Sequence, residues 1–382
     1  MKIRFITFSC ARNYGAVLQT YATYKYLTDL GNEVKMIDYI SLPYQVDRDD
    51  FVYLSTERWS KNCLTRLIWR YTRHRNELKC RDNFRKFVDC YIPHTDTCFS
   101  NDYLKNNLPD GDVFMTGSDQ IWNTDYSWTG KPDLPYFLDF VPESIPKIAY
   151  SSSFGKSKLE DSEKEQIKKM LSRFLAIGVR EKTGNDILTG LGIPSTVVAD
   201  PTLLCNQKEW DYLASNRLVD DDYILLFQIV PNRKLVNSVR KIGKKLDKKV
   251  VILSPDPSQK KTLGYKDVVY LPSVEDWISY FKYADTVVTD SFHGTIFAMN
   301  YKHNFISVTT ANYNSRITNL LDNVGLSERY TDDISDENLI RIRSIPMDYS
   351  VIQGRIDSFV NASKTWLTNQ LNSISERVER GD

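Results

Sequence analysis

The sequence predicts an α/β protein made of two Rossmann-like domains, each a parallel sheet flanked by helices. Three observations lead there. Short runs rich in Val, Ile, Phe and Tyr alternate with helical patterns along most of the chain, as βαβ units require. The length, 382 residues, exceeds what one hydrophobic core usually serves. Polar turns recur just after the strand-like runs, where α/β sheets bind their ligands.

In chain order, the first set of strands is expected at Ile3–Phe8, Val34–Tyr39, Asp112–Thr116, Lys147–Ser151 and Leu175–Val179. Each is a short apolar run bounded by polar or turn-forming residues. The second set is expected at Tyr223–Val230, Lys249–Ser254, Val268–Leu271, Asp285–Thr289 and Asn304–Val308. Between the sets, Val197–Leu204 carries Asp200 and Pro201 and marks the crossing from one domain to the next. Near the end, Ile352, Ile356, Phe359, Leu367, Leu371 and Val378 recur at helical spacing, so 351–380 reads as one long amphipathic helix. The expected domains are therefore 1–198, with a basic helical insertion near 58–90, then 199–350, then a C-terminal helix at 351–382 that packs back on the body. Two such domains facing a cleft make the architecture called GT-B.

Composition narrows the class. Lys and Arg total 50 against 49 Asp and Glu, which removes the basic excess of a general nucleic-acid binder. The six cysteines lack both zinc-site spacing and the density of a disulfide scaffold, so reduced thiols are expected. The chain opens on a strand rather than a signal peptide, and apolar runs such as Tyr223–Val230 are too short to span a bilayer. A cytoplasmic protein is the expectation. The stretch Arg58–Lys86 holds ten Lys or Arg against Glu77 and Asp82, interleaved with Leu64, Leu67, Ile68, Trp69 and Phe84. Such a segment suits anionic lipid headgroups or a lipid-diphosphate handle, and equally a solvated helical face.

Four turns carry the candidate chemistry. After the first strand, Asn13, Tyr14 and Gly15 lead into a helix start that offers N–H groups to an anion or a sugar hydroxyl, unless the loop is a plain tight turn. After the third strand, Ser118, Asp119 and Gln120 can hold sugar hydroxyls while Trp122 offers an apolar face; the competing reading is a helix-capping Asp and a core Trp. Arg180 and Lys182 follow a strand of the first set, where Arg180 can fork onto a carboxylate or phosphate, or pair with Glu181 or Asp186. Ser291, His293 and Gly294 close a strand of the second set and open a helix, which suits an anion and a proton; the competing reading is a His that satisfies a buried backbone group. Only four histidines occur, none at ligand-like helical spacing, so no metal site is expected.

Together these turns resemble the polysaccharide pyruvyl transferase family, from the first strand to about Arg329. The matching runs are Asn13-Tyr14-Gly15-Ala16-Val17-Leu18-Gln19, Gly117-Ser118-Asp119-Gln120-Ile121-Trp122-Asn123 and Ala149-Tyr150-Ser151-Ser152-Ser153-Phe154-Gly155. Further on come Val179-Arg180-Glu181-Lys182, Asp200-Pro201-Thr202-Leu203-Leu204, Asp290-Ser291-Phe292-His293-Gly294 and Ser315-Arg316-Ile317. The resemblance implies a GT-B-like fold and transfer of pyruvate from phosphoenolpyruvate onto two hydroxyls of a sugar, giving a cyclic ketal. It also implies that His293 is the acid and that Arg180 binds the donor. Many members carry Arg where this chain has Ser291, and Arg316 is the expected substitute, with Lys182 as the other candidate.

The expected chemistry follows from the donor, whose central carbon becomes electrophilic once its methylene is protonated. His293 is the expected acid and Asp119 the group that orients or deprotonates an acceptor hydroxyl. Arg180, Lys182, Ser291, Gly294 and Arg316 would bind donor, and Asn13, Tyr14, Gly15, Ser118, Gln120 and Trp122 acceptor. No cofactor is expected beyond phosphoenolpyruvate as co-substrate, and the acceptor belongs to a surface polysaccharide or its lipid-linked precursor. The alternatives are a nucleotide-sugar glycosyltransferase of the same fold and a non-catalytic glycan-binding protein.

Overall fold

β1 (Lys2–Ile6) is buried from Ile3 onward, Arg4 included, because both faces of its sheet are covered. The protein is described from a computed structural model that covers residues 1–45, 63–69, 75–127, 129–259, 267–309 and 315–380. β2 (Glu33–Met36), β3 (Val113–Thr116), β4 (Lys147–Ser152), β5 (Ala176–Val179) and β6 (Thr196–Val197) complete a parallel sheet in the order β2-β1-β3-β4-β5-β6. Every residue of β3 and β4 is buried. Even Lys147 stays inside, because its ammonium donates to the carbonyls of Pro142 and Ile145 at 2.6 and 3.3 Å.

A second parallel sheet holds β7 (Tyr223–Phe227), β8 (Lys249–Ser254), β9 (Val268–Tyr270), β10 (Thr286–Thr289), β11 (Asn304–Val308) and β12 (Tyr330–Thr331), in the order β12-β11-β10-β7-β8-β9. The expected α/β class and its two sheets are thus present. In each sheet the strand order reverses at one place, between β1 and β3 in the first and between β7 and β10 in the second. Chains leaving those neighbouring strands diverge, so their carboxyl ends open a crevice that no connection crosses.

The chain forms two compact units. One draws on Met1–Arg12, Ala16–Leu204 and the residues from Asn361 onward; the other on Asn13–Gly15 and Cys205–Val360. The long helix Tyr349–Arg380 serves both, with Leu367, Leu371 and Ile374 buried in the first unit. There Ser363 Oγ accepts the Ala199 amide at 2.9 Å, and Trp366 lies against Gly178, where a Cβ would come within 3.1 Å of the indole. Within the second unit, Trp277 packs on Phe281 and Phe297 at centroid distances of 4.1 and 4.9 Å.

Of the basic insertion, the helices Cys63–Trp69 and Arg75–Tyr91 are described, while 58–62 and 70–74 lie outside the described residues. All six cysteines are free thiols. Among the described residues no helix is long and apolar enough to cross a membrane.

Candidate active site

Each sheet presents a polar cluster at its reversal point, and the two clusters are built differently. In the second unit, β10 ends at Thr289, and Ser291 caps the helix Phe292–Asn300 by accepting the Gly294 amide on its Oγ at 3.1 Å. Thr289 Oγ1 in turn accepts the Ser291 amide at 3.0 Å. A Cβ on Gly294 would come within 2.5 Å of Thr289 Oγ1 and 3.2 Å of the Phe227 ring, so only glycine lets this helix approach β10 so closely. The Gly294 N–H is thus already held by Ser291, so the donor-binding role expected of Gly294 does not come from this N–H.

His293 lies on the first turn of that helix, 7% exposed, with its ring edge-on to Phe292 at 5.1 Å. The imidazole also lies against Gly15, where any Cβ would fall on it. Asn13, Tyr14 and Gly15 belong to this second unit although they follow β1 in sequence. Tyr14 anchors them: it is buried, stacks on Trp277 at 5.3 Å and 11°, and donates its hydroxyl to the Pro272 carbonyl at 2.7 Å. Its ring and hydroxyl are therefore engaged in packing, which revises the acceptor role expected of it. Arg316, on the helix Ser315–Val324, places its guanidinium 5.8 Å over the Phe292 ring. The structure thus brings His293 against Gly15, with Arg316 over the neighbouring Phe292 ring.

Asp290 was not singled out as a site residue, yet it spans the reversal point. Its Oδ1 accepts the Ile229 amide at 2.7 Å and its Oδ2 the Val230 amide at 2.9 Å, tying the end of β10 to the loop after β7. Burial pushes its carboxyl up to about 6, although the two amide bonds act the other way. An acidic residue directly after a buried strand and before a helix cap was the available signal.

In the first unit the centre is Arg180. It is buried, with Nη1 3.2 Å from Asp200 Oδ2, Nη2 3.3 Å from Asp119 Oδ1 and Nε 3.7 Å from Glu181 Oε2. Burial alone would lower its pKa; the three carboxylates outweigh that and raise it. An incoming donor carboxylate would have to displace Asp119 to reach this guanidinium, so Arg180 is not the open anion clamp expected of it.

The surrounding side chains are equally occupied. Ser118 is fully buried and donates to Asp200 Oδ2 at 3.3 Å, while its amide reaches Gln19 Oε1 at 3.3 Å. Gln120 Oε1 accepts from Asn123 Nδ2 at 3.0 Å. Trp122 fills core between Phe137 and Phe154, at 5.9 and 5.1 Å, and its Nε1 donates to the Tyr136 carbonyl, so it offers no face to a sugar. Lys182 is exposed and pairs with Asp186 one helical turn on, at 2.7 Å, away from the buried network. Asp119 (φ +76°) and Ser151 (φ +56°) both hold left-handed backbone conformations, a strain that tends to gather at functional sites.

With this geometry in place, comparison with known proteins assigns the chain. The model of the family described as polysaccharide pyruvyl transferase matches residues 13–312. The chain belongs to that family. As members are transferases acting in polysaccharide biosynthesis, the same holds for this pyruvyl transferase family member. No curated protein matched its sequence.

Among solved structures, the UDP-GlcNAc 2-epimerase of Neisseria meningitidis bound to UDP-GlcNAc is similar at a TM-score of 0.54 and 9% identity, covering 98% of this chain and 100% of the other. The epimerase of Methanocaldococcus jannaschii gives 0.53 at 13% identity, over 90% and 92%. That of Rickettsia bellii gives 0.54 at 11%, over 99% and 98%. These likenesses show the fold, which is of the GT-B class.

Two outcomes test the architecture of these clusters. Arg180→Met strands three buried carboxylates and should cost about 3–5 kcal/mol of stability in urea unfolding; an unchanged stability with weaker donor binding would restore the clamp reading. For Asp290, the folded carboxyl titrates near 6 against an ordinary value of 3.8, so the folded state holds the proton more tightly. That stabilisation is complete below about pH 4 and is lost as the pH rises through 6. Asp290→Asn should remove a pH-dependent term on the order of 2–3 kcal/mol across that window, read as the difference between the two proteins' unfolding curves. Parallel curves would reject it.

Proposed function

We propose that this chain transfers pyruvate from phosphoenolpyruvate onto two hydroxyls of one sugar, forming a cyclic ketal and releasing phosphate. The observation that carries the reading is His293 on the first turn of a helix at the sheet's reversal point, pressed by Gly15, with Arg316 over the ring of the preceding Phe292. Imidazolium is the side chain suited to giving a proton near neutral pH.

In the reaction, His293 delivers a proton to the methylene carbon of phosphoenolpyruvate, and the central carbon becomes an oxocarbenium-like centre. One sugar hydroxyl adds there and gives up its proton to a base. The C–O bond to phosphate then breaks, the second hydroxyl adds, and the ring closes. One hydroxyl proton replaces that spent by His293 and the other leaves on phosphate, so protons and charge balance. Arg316 compensates donor charge in the position that Ser291 leaves without a cation. Arg180 acts as a positioning residue that holds Asp119.

The acceptor belongs to a surface polysaccharide or its precursor, and the basic insertion supports a lipid-linked one at the inner face of the cell membrane. Leu64, Leu67 and Ile68 on the helix Cys63–Trp69 are 66%, 63% and 45% exposed, in a stretch whose sequence carries ten Lys or Arg. Apolar side chains offered to solvent within a basic segment suit an anionic bilayer surface.

In deuterated water, incubation with phosphoenolpyruvate and a panel of oligosaccharides should yield an acceptor heavier by pyruvate less one water, with deuterium in the new methyl. Unlabelled methyl would reject protonation at carbon, and nucleotide release from added nucleotide sugars without phosphate release would reject the donor. His293→Ala should keep donor binding while losing about 10²–10⁴ in turnover. Replacing Leu64 and Leu67 together by Ser should abolish sedimentation with vesicles containing phosphatidylglycerol; unchanged sedimentation would leave the segment a solvated face.

A further inference from the structure

The first unit contains a cavity of about 530 Å³ that none of the family's matching runs accounts for. It lies beyond the carboxyl ends of β1 and β2, with Ser9, Cys10 and Arg12 contributed by the loop after β1 and Asp38, Ile40 and Tyr44 by the chain after β2. The helix Arg75–Tyr91 closes it with Arg81, Phe84 and Arg85, and Phe99 stands at the side. The volume is that of a small-molecule site and suits one or two pyranose rings.

Its charge decides what kind of molecule. Three guanidinium groups line it, which at first sight predicts an anion. Each, however, is already bound by carboxylates. Arg85 Nη1 donates to both Asp38 oxygens at 2.8 and 2.7 Å, and its Nε lies 2.6 Å from Asp89 Oδ1. Arg81 donates to Asp82 Oδ1 from Nε and Nη2 at 2.9 and 2.6 Å. Arg12 is ion-paired with Glu77. Three cations therefore face four carboxylates, Asp38, Asp89, Asp82 and Glu77, and no positive excess is left to hold a phosphate or a uronate.

What remains is a surface of paired donors and acceptors set beside aromatic rings. Arg12 caps the Tyr44 ring at 5.5 Å, Phe84 is 2% exposed in the wall, and Phe99 is 49% exposed. A sugar ring needs that combination: apolar C–H faces to lay on an aromatic ring, and hydroxyls that both give and take hydrogen bonds.

We propose that this cavity is a glycan subsite for an uncharged sugar residue, stacked on Phe99 and Tyr44 and bonded through its hydroxyls to the Arg85–Asp38 and Arg81–Asp82 pairs. Calling that sugar part of the acceptor rests on the pyruvyl transfer reading; the binding itself does not. The cavity thus selects acceptors by a neutral residue, independently of any charge elsewhere in the glycan.

Saturation-transfer NMR without phosphoenolpyruvate tests this on the full chain, using methyl β-galactoside, methyl β-glucoside, methyl β-N-acetylglucosaminide, methyl β-glucuronide and inorganic pyrophosphate as probes. At least one uncharged glycoside should bind, with little response to added salt. Phe99→Ala and Phe99→Leu should each weaken it about three- to tenfold, and Phe99→Tyr should retain it. The exposed position lets all three fold, and Leu keeps apolar bulk while removing the ring. The proposal is overturned if no uncharged glycoside binds at millimolar concentration, if only glucuronide or pyrophosphate binds in a salt-sensitive way, or if both Phe99 variants bind like the parent. Since no donor is present, a failed transfer assay with intact glycoside binding would count against the reaction and not against the subsite.

Discussion

Everything functional in this protein follows from one constraint: a parallel sheet covered on both faces can admit a polar ligand only at the ends of its strands. The residues of β3, β4, β7 and β10 are buried throughout, so their side chains go to packing. Polar chemistry is pushed to the carboxyl ends, and the reversal in strand order fixes which ends are left uncrossed. His293 follows β10 at one such point, and Asp119 follows β3 at the other. Asp290 shows how the crevice is kept in shape, since one carboxylate holds two backbone amides of the loop across the reversal.

The two units meet the cost of burying charge differently. Around Arg180, one guanidinium offsets three carboxylates, and hydroxyls of Ser118, Ser153 and Thr202 also donate to Asp200 and Glu181. Such a network stabilises little in total but costs much when one member is removed. It holds Asp119 and its left-handed backbone in place, and that rigidity is what a hydroxyl-positioning carboxylate needs. The second unit uses packing instead. Tyr14 is clamped on Trp277, Gly15 follows, and the absence of its side chain leaves the space that the imidazole of His293 occupies.

The strands were legible because buried parallel strands are short, continuous apolar runs, and the ten strands expected correspond to all but β6 and β12. Those two have two residues each, too few for any periodicity to register. Site roles were less legible, since a sequence shows which residues share a turn but not which partners arrive from elsewhere. Trp122 beside Asp119 and Gln120 reads as a sugar platform until Phe137 and Phe154 are seen on it. Arg180 reads as a free clamp because Asp119 and Asp200 are distant in sequence. Lys182 and Asp186, by contrast, stand four apart on one helix, so their pairing was within reach of spacing alone.

Charge also sorts the roles of the two units. Phosphoenolpyruvate, the proposed donor, carries a carboxylate and a phosphate and needs cationic partners, whereas a neutral sugar needs donors and acceptors in balance. In the first unit the guanidinium groups of Arg180, Arg81 and Arg85 are all bound by carboxylates. In the second, Arg316 lies over the ring of Phe292, the residue before His293. On the proposed reading the donor is assigned to the second unit, with His293, and the glycan to the first.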